Sequence, residues 1–155
     1  MLAEVRREME KYFSKEFYNP NAIYEEGLRV KLEVDKFRRK IAELTEARAE
    51  GVIFTSGGTE ANVFAVRGIK LGKVVAEPES HPSVTDAIRE TDSNEVVLIS
   101  SVTTDNKLGR KIREERKKNN SQYPLLHIDA SQSTQYFNVG LEALSCDLLT
   151  LDSAK

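Results

Sequence analysis

Five groups of residues along the chain have the types and spacing to do chemistry. Ser56-Gly57-Gly58-Thr59-Glu60-Ala61-Asn62 leads into a helical run, Val63 to Ile69. Two glycines let backbone approach a ligand closely, and a helix amino end offers unpaired N–H groups and a positive dipole, so this turn can cradle a phosphate. It has neither the GxxxxGK(S/T) spacing of a P-loop nor the GxGxxG of a dinucleotide site, and a tight turn with a Ser or Thr cap accounts for it equally well. His81 follows the run Val74 to Ala76 and leads Pro82-Ser83; it is either a functional imidazole or a cap. Asn106 lies in the polar stretch Thr103 to Lys107 ahead of Leu108-Gly109, where a plain turn is the simpler reading. Asp129 ends the apolar run of His127-Ile128-Asp129-Ala130-Ser131-Gln132-Ser133. A carboxylate buried there is costly without a cationic or N–H partner, although Asp also caps turns well. Lys155 closes Leu151-Asp152-Ser153-Ala154-Lys155 as a surface charge or a nucleophilic amine.

The surrounding pattern says what must position these groups. Leu2, Val5, Met9 and Phe13 form one stripe of a first helix, which Asn19-Pro20-Asn21-Ala22 stops. Val30, Val34, Phe37, Ile41 and Leu44 form the stripe of a longer helix whose other face is charged. From residue 51 onward the runs Val52–Thr55, Val74–Ala76, Val96–Ile99, Leu125–Ile128 and Leu148–Leu151 alternate with helical or polar stretches. Apolar strands without in/out alternation are buried on both faces, and strand–helix–strand spacing of this kind predicts an α/β fold with a mostly parallel sheet and flanking helices. Residues 1–50 form the amino-terminal helices and residues 51–155 the sheet-bearing part. A last strand that runs into Lys155 without a following crossover points to a fragment or one piece of a larger assembly.

Composition narrows the class. Of 155 residues, 23 are basic and 25 acidic, so no general positive field exists for nucleic acid or an anionic membrane. No apolar run approaches the roughly 20 residues of a membrane span. A single cysteine, Cys146, and an amino terminus without a leader pattern place the chain in the cytoplasm.

In open parallel sheets ligands sit at the carboxyl ends of strands, where all five groups fall. A phosphate turn, an aromatic nitrogen base, a carboxylate and a lysine on one sheet edge are the parts that pyridoxal phosphate requires: an amine for the imine, a carboxylate to keep the pyridine nitrogen protonated, and N–H donors for the phosphate.

The phrase FTSGGTEAN at 54–62, followed by Ala65-Val66 and Gly68, resembles the phosphate-loop signature of the class V aminotransferases among fold-type I pyridoxal phosphate enzymes, in particular the cysteine desulfurases of the NifS and IscS type. Asn19-Pro20-Asn21-Ala22 with Gly27, His81, Asn106-x-x-Gly109, His127 to Ser133 and the final Leu151 to Lys155 follow in the family's order. The match covers nearly the whole chain but only the front part of the family's length, ending at the Schiff-base lysine of the aspartate aminotransferase-like large domain.

The resemblance implies that Lys155 carries the cofactor, Asp129 pairs with the pyridinium nitrogen, and His81 stacks on the ring and assists proton transfer. It further implies that Gln132 and Asn106 serve the phenolic oxygen and that Gly58 and Thr59 hold the phosphate. Departures stand at Tyr24 and Ala154, where the family places histidines, and at Asp152, where it places a phosphate-binding hydroxyl. A carboxylate at that position repels phosphate, which leaves Ser153 as the hydroxyl on offer. The activity implied is transfer of sulfur from L-cysteine, leaving L-alanine, through an enzyme persulfide to an acceptor such as an iron–sulfur scaffold protein. The enzyme would be a homodimer, or a heteromer with a chain carrying the missing half. Cys146, beside a buried strand, reads as a core residue rather than the persulfide cysteine. A selenocysteine lyase or another class V aminotransferase is the alternative within the enzymes, and a non-catalytic scaffold subunit of the same fold the alternative outside them.

Overall fold

Short β-branched runs separated by helices pair most simply in parallel, and the computed structural model pairs them so. It describes residues 3–70 and 72–153, which divide into two compact units, 3–52 and 53–153. In the second unit, strands β1 (Lys73–Ala76), β2 (Val96–Ser101), β3 (Leu125–Asp129) and β4 (Leu148–Thr150) form one parallel sheet in the order β1-β2-β3-β4. Helix α3 (Gly58–Arg67) precedes β1, while α4 (Pro82–Thr85), α5 (Lys107–Asn119) and α6 (Leu141–Leu144) lie in the successive crossovers.

Burial on both faces of the sheet follows from the residues that line it. Leu126 and Ile128 of β3 pack with Ile112 of α5, Leu144 of α6, Ala130 and Cys146. On the other side Leu125 joins the cluster of Val66 from α3, Val84 from α4, Ala87, Val97 and Leu98. The period-two alternation of a strand therefore sends Leu125, His127 and Asp129 towards α3 and α4. Gly109 lets α5 approach closely, since a Cβ there would stand 2.5 Å from the Ser145 carbonyl oxygen and 2.7 Å from that of Leu144. Asn120, in the left-handed conformation, ends α5.

In the first unit, α1 (Ala3–Glu10) runs into a 3₁₀ turn at Lys11–Phe13, and α2 spans Glu25–Leu44. The expected first helix is thus shorter than its stripe, of which Leu2 lies outside the described residues; Val5 and Phe13 are exposed. In α2, Val30 is buried, but Phe37 and Leu44 of the same stripe are exposed. Gly27 sits under the loop that starts the helix, where a Cβ would meet the Asn19 carbonyl oxygen at 2.7 Å.

Val52–Thr55 is not a strand. A strand needs a neighbour for its N–H and C=O groups, and no described strand pairs with this run. Val52 instead donates to the Ala49 carbonyl and accepts from the Arg38 guanidinium, and Ile53 is 70% exposed. The sheet has four described strands rather than five. The helix that follows His81 is short, Pro82–Thr85. Among the described residues no helix is long and apolar enough to cross a membrane.

Candidate active site

Strand β3 delivers the carboxylate. Asp129 ends it, half-buried, and its Oδ1 accepts hydrogen bonds from the Ser131 hydroxyl at 2.6 Å and the Ser131 N–H at 3.1 Å. Its Oδ2 accepts from the side-chain amide of Asn62 at 2.8 Å. Burial pushes this carboxyl up, but the Ser131 hydroxyl, the Asn62 amide, the Ser131 N–H and the nearby His127 together hold it below its ordinary value. The partner that a buried Asp129 demands is thus supplied by neutral donors.

Asn62 is the centre of the arrangement. It lies in the first turns of α3, 2% exposed, and its amide nitrogen also donates to the Ser83 hydroxyl at 2.9 Å. Its carbonyl oxygen is buried without a partner. Turning the amide over would set that oxygen against the Asp129 carboxylate, so the observed orientation is the one electrostatics requires.

His81 joins from the far end. Its Nδ1 caps α4, 3.1 Å from the Ser83 N–H and 2.8 Å from the Ser83 hydroxyl oxygen, with Pro82 at the first helical position. A continuous line of hydrogen bonds therefore runs from His81 through Ser83 and Asn62 to Asp129 and Ser131. It brings two of the expected site residues, from the ends of different strands, into one network.

The phosphate turn lies beside it. Gly58 opens α3, and a Cβ on Gly58 would be 3.5 Å from Asp152 Oδ2 and 3.5 Å from the Ser131 hydroxyl oxygen. Asp152, not Ser153, is therefore the residue after β4 that comes against the amino end of α3. Glu60 closes the turn: its carboxylate accepts from the Ser56 N–H at 2.6 Å and the Ser56 hydroxyl at 2.8 Å, which hold it below the usual carboxylate range.

The other expected residues are less closely tied. Thr59, Gln132 and Ser153 are exposed, and Asn106 is half-buried as the residue before α5, its carbonyl accepting from the Arg110 N–H. No hydrogen bond joins the side chains of Asn106 or Gln132 to the His81–Asp129 line. Lys155 and Ala154 lie outside the described residues. Cys146 is buried, and burial followed by the Asp147 carboxylate pushes its thiol up to about 11. Such a thiol is almost entirely protonated at neutral pH, so it is a poor nucleophile.

Asn62, Ser83, Ser131 and Glu60 carry no role in the sequence reading. Asn62 and Glu60 stand inside the quoted FTSGGTEAN phrase, and Ser83 and Ser131 each lie two residues beyond an expected site residue, a spacing at which a hydroxyl folds back readily.

The family model for aminotransferase class-V matches residues 1–112. The chain belongs to that family. Curated relatives of this class-V aminotransferase chain include the cysteine desulfurase IscS of Dictyoglomus turgidum, 25% identical, with 98% of this chain aligned to 47% of that protein. The cysteine desulfurase IscS of Buchnera aphidicola is 28% identical with the same coverage. The chain spans about half the length of the curated relatives it matches. Among solved structures, a NifS-like protein superposes with a TM-score of 0.77 at 20% identity, over 98% of this chain and 52% of that one. The NifS-like protein of Rickettsia africae gives 0.76 at 18% identity, over 98% and 51%. The α/β fold expected from the strand pattern is that of these proteins.

Proposed function

We propose that this chain is the pyridoxal phosphate-binding front part of a cysteine desulfurase, which takes sulfur from L-cysteine, leaves L-alanine and passes the sulfur to an acceptor such as an iron–sulfur scaffold protein. The observation that carries the reading is the Asp129 carboxylate, held ionised at the end of β3 by Ser131 and Asn62. Its curated relatives are named cysteine desulfurases, and one matching structure is titled SspA in complex with cysteine. We place the enzyme in the cytoplasm as a dimer, the assembly its family resemblance implies.

The residues present fit the cofactor at its ring end. An ionised carboxylate has about four lone-pair sites; Asp129 uses three, for Ser131 N–H, Ser131 hydroxyl and Asn62 amide, and keeps one for a pyridinium N–H. When bound, the cofactor supplies an electron sink for negative charge at the substrate α carbon. The chain's own part is to hold and orient it. Asp129 would keep the ring nitrogen protonated. Gly58 and Thr59 would offer donors to the phosphate, with Ser153 turned out to solvent and Asp152 in its place at the amino end of α3. Asn106 and Gln132 would serve the ring oxygen, His81 would stack on the ring, and Lys155 would provide the amine. Cys146, with its raised thiol, is not the sulfur acceptor, so that cysteine belongs to another part of the protein.

Asp152 favours one other reading. Its carboxylate against the amino end of α3 opposes a phosphate there, as in a non-catalytic subunit that keeps the fold. Addition of pyridoxal phosphate to the full-length protein separates the two. A violet absorption band and alanine release from L-cysteine, with Asp129→Asn lowering that release by about a hundredfold or more, establish the enzyme. No band and no alanine leave the scaffold.

A further inference from the structure

The line of hydrogen bonds ending at His81 has a fixed direction. Ionised Asp129 only accepts, so the amide of Asn62 must turn its nitrogen to Oδ2. The same nitrogen, with its second proton, meets the Ser83 hydroxyl oxygen at 2.9 Å. Having accepted there, Ser83 has one proton left to donate, and the acceptor within reach is His81 Nδ1 at 2.8 Å. The Ser83 backbone N–H, which can only donate, points to the same nitrogen at 3.1 Å.

We infer that Asp129, acting through Asn62 and Ser83, fixes the neutral His81 ring in the tautomer that carries its proton on Nε2. The Ser83 N–H is a donor that cannot turn away from Nδ1, and the hydroxyl has its one proton free to give there, so a proton on that atom would face the N–H and lose the hydroxyl bond. A neutral imidazole then has its N–H at Nε2. Joined to the proposed function, on which this consequence rests, His81 serves the site as a hydrogen-bond donor from Nε2. It is not poised as a base, because the nitrogen with the free electron pair is the one Ser83 occupies. Asn62 and Ser83 are positioning residues: they act through His81 and Asp129. One carboxylate would thus set both ends of the site, the charge beside the ring nitrogen and the proton location on the histidine.

The test is a two-bond ¹⁵N–¹H correlation spectrum of the full-length protein with labelled histidine, near neutral pH, with and without pyridoxal phosphate. His81→Gln assigns the signal. His81 is expected to show Nε2 protonated as the dominant form, with the Nδ1–H tautomer a small population read from the averaged ¹⁵N shifts. Ser83→Ala deletes the hydroxyl donor and leaves the backbone one. It should raise the Nδ1–H population between about twofold and tenfold, the worth of one hydrogen bond, and Asn62→Leu should move it in the same direction. A substantial Nδ1–H population in the wild-type protein, or an unchanged ratio in Ser83→Ala, overturns the inference. The spectrum without cofactor is independent of the proposed function, so failure to bind pyridoxal phosphate would sink that reading and leave this one standing.

Discussion

The amide nitrogen of Asn62 lies 2.8 Å from Oδ2 of Asp129, a residue 67 positions further along the chain. This bond ties the helix that opens the phosphate turn to the strand that carries the carboxylate. Replacing Asn62 with Leu, of similar size, removes the donors to Asp129 and Ser83 together. Hydrogen bonds to charged groups are worth more than neutral ones, so the variant should lose about 2–3 kcal/mol in chemical denaturation. The Asp129 carboxyl should titrate higher, as seen by ¹³C NMR of its side chain, because one of the bonds that favour its charged form is gone.

His127 makes stability depend on pH. It is wholly buried on β3, bonded to the Ser100 hydroxyl at 2.9 Å and the Thr150 hydroxyl at 3.0 Å. Burial lowers it from 6.5 to about 4, against a smaller upward pull from Asp129. The unfolded chain therefore binds a proton that the folded chain refuses. The stabilisation is fully present above about pH 6.5 and is lost as pH falls towards 4, by up to about 3 kcal/mol. Asp129, with its lowered carboxyl, adds a loss of the same sign at still lower pH. Urea denaturation at pH 7 and pH 4.5 measures the first effect, and His127→Gln should flatten the slope between those values.

Cys146 should be inert in the folded protein. With its thiol pushed up to about 11, alkylation at pH 7.5 should be slow in native buffer and fast in denaturant. Under the proposed function, Cys146→Ala should leave sulfur transfer from L-cysteine unchanged, and it should cost about 1 kcal/mol of stability through the lost buried sulfur. Mass spectrometry of a persulfide trapped on Cys146 during turnover would contradict this.

Gly109→Ala tests the close approach of α5 to the backbone at Leu144 and Ser145. Its Cβ would be forced to 2.5 Å and 2.7 Å from two carbonyl oxygens, neither of which belongs to a flexible side chain. A loss of about 1–3 kcal/mol, typical of overpacking, should appear as an earlier denaturation midpoint with little change at the site. An unchanged midpoint would show that α5 moves away freely.

Much of the fold is written in local pattern. The runs at 74–76, 96–99, 125–128 and 148–151 each become a strand or most of one, because continuous β-branched and apolar stretches bury well between two layers of helix whatever lies beside them. Val52–Thr55 has the same composition and forms none. Strand identity also requires a paired neighbour, and that is a property of the assembled sheet. The stripe of α2 shows the same limit: spacing places Val30, Phe37 and Leu44 along one side, but whether a side chain is covered depends on what packs there.

The site divides along the same line. The residue types decided by sequence alone are a glycine turn before a helix, an imidazole after one strand and a carboxylate that ends another; burial physics already demands a partner for Asp129. Which partner answers was left to tertiary structure. Asn62, Ser83 and Ser131 are ordinary polar residues in sequence, and only when α3, α4 and β3 pack together do their donors and acceptors meet in one directed line. Hydrogen bonds are short-ranged and directional, so they are settled by where the backbone brings atoms, and sequence spacing alone does not specify that.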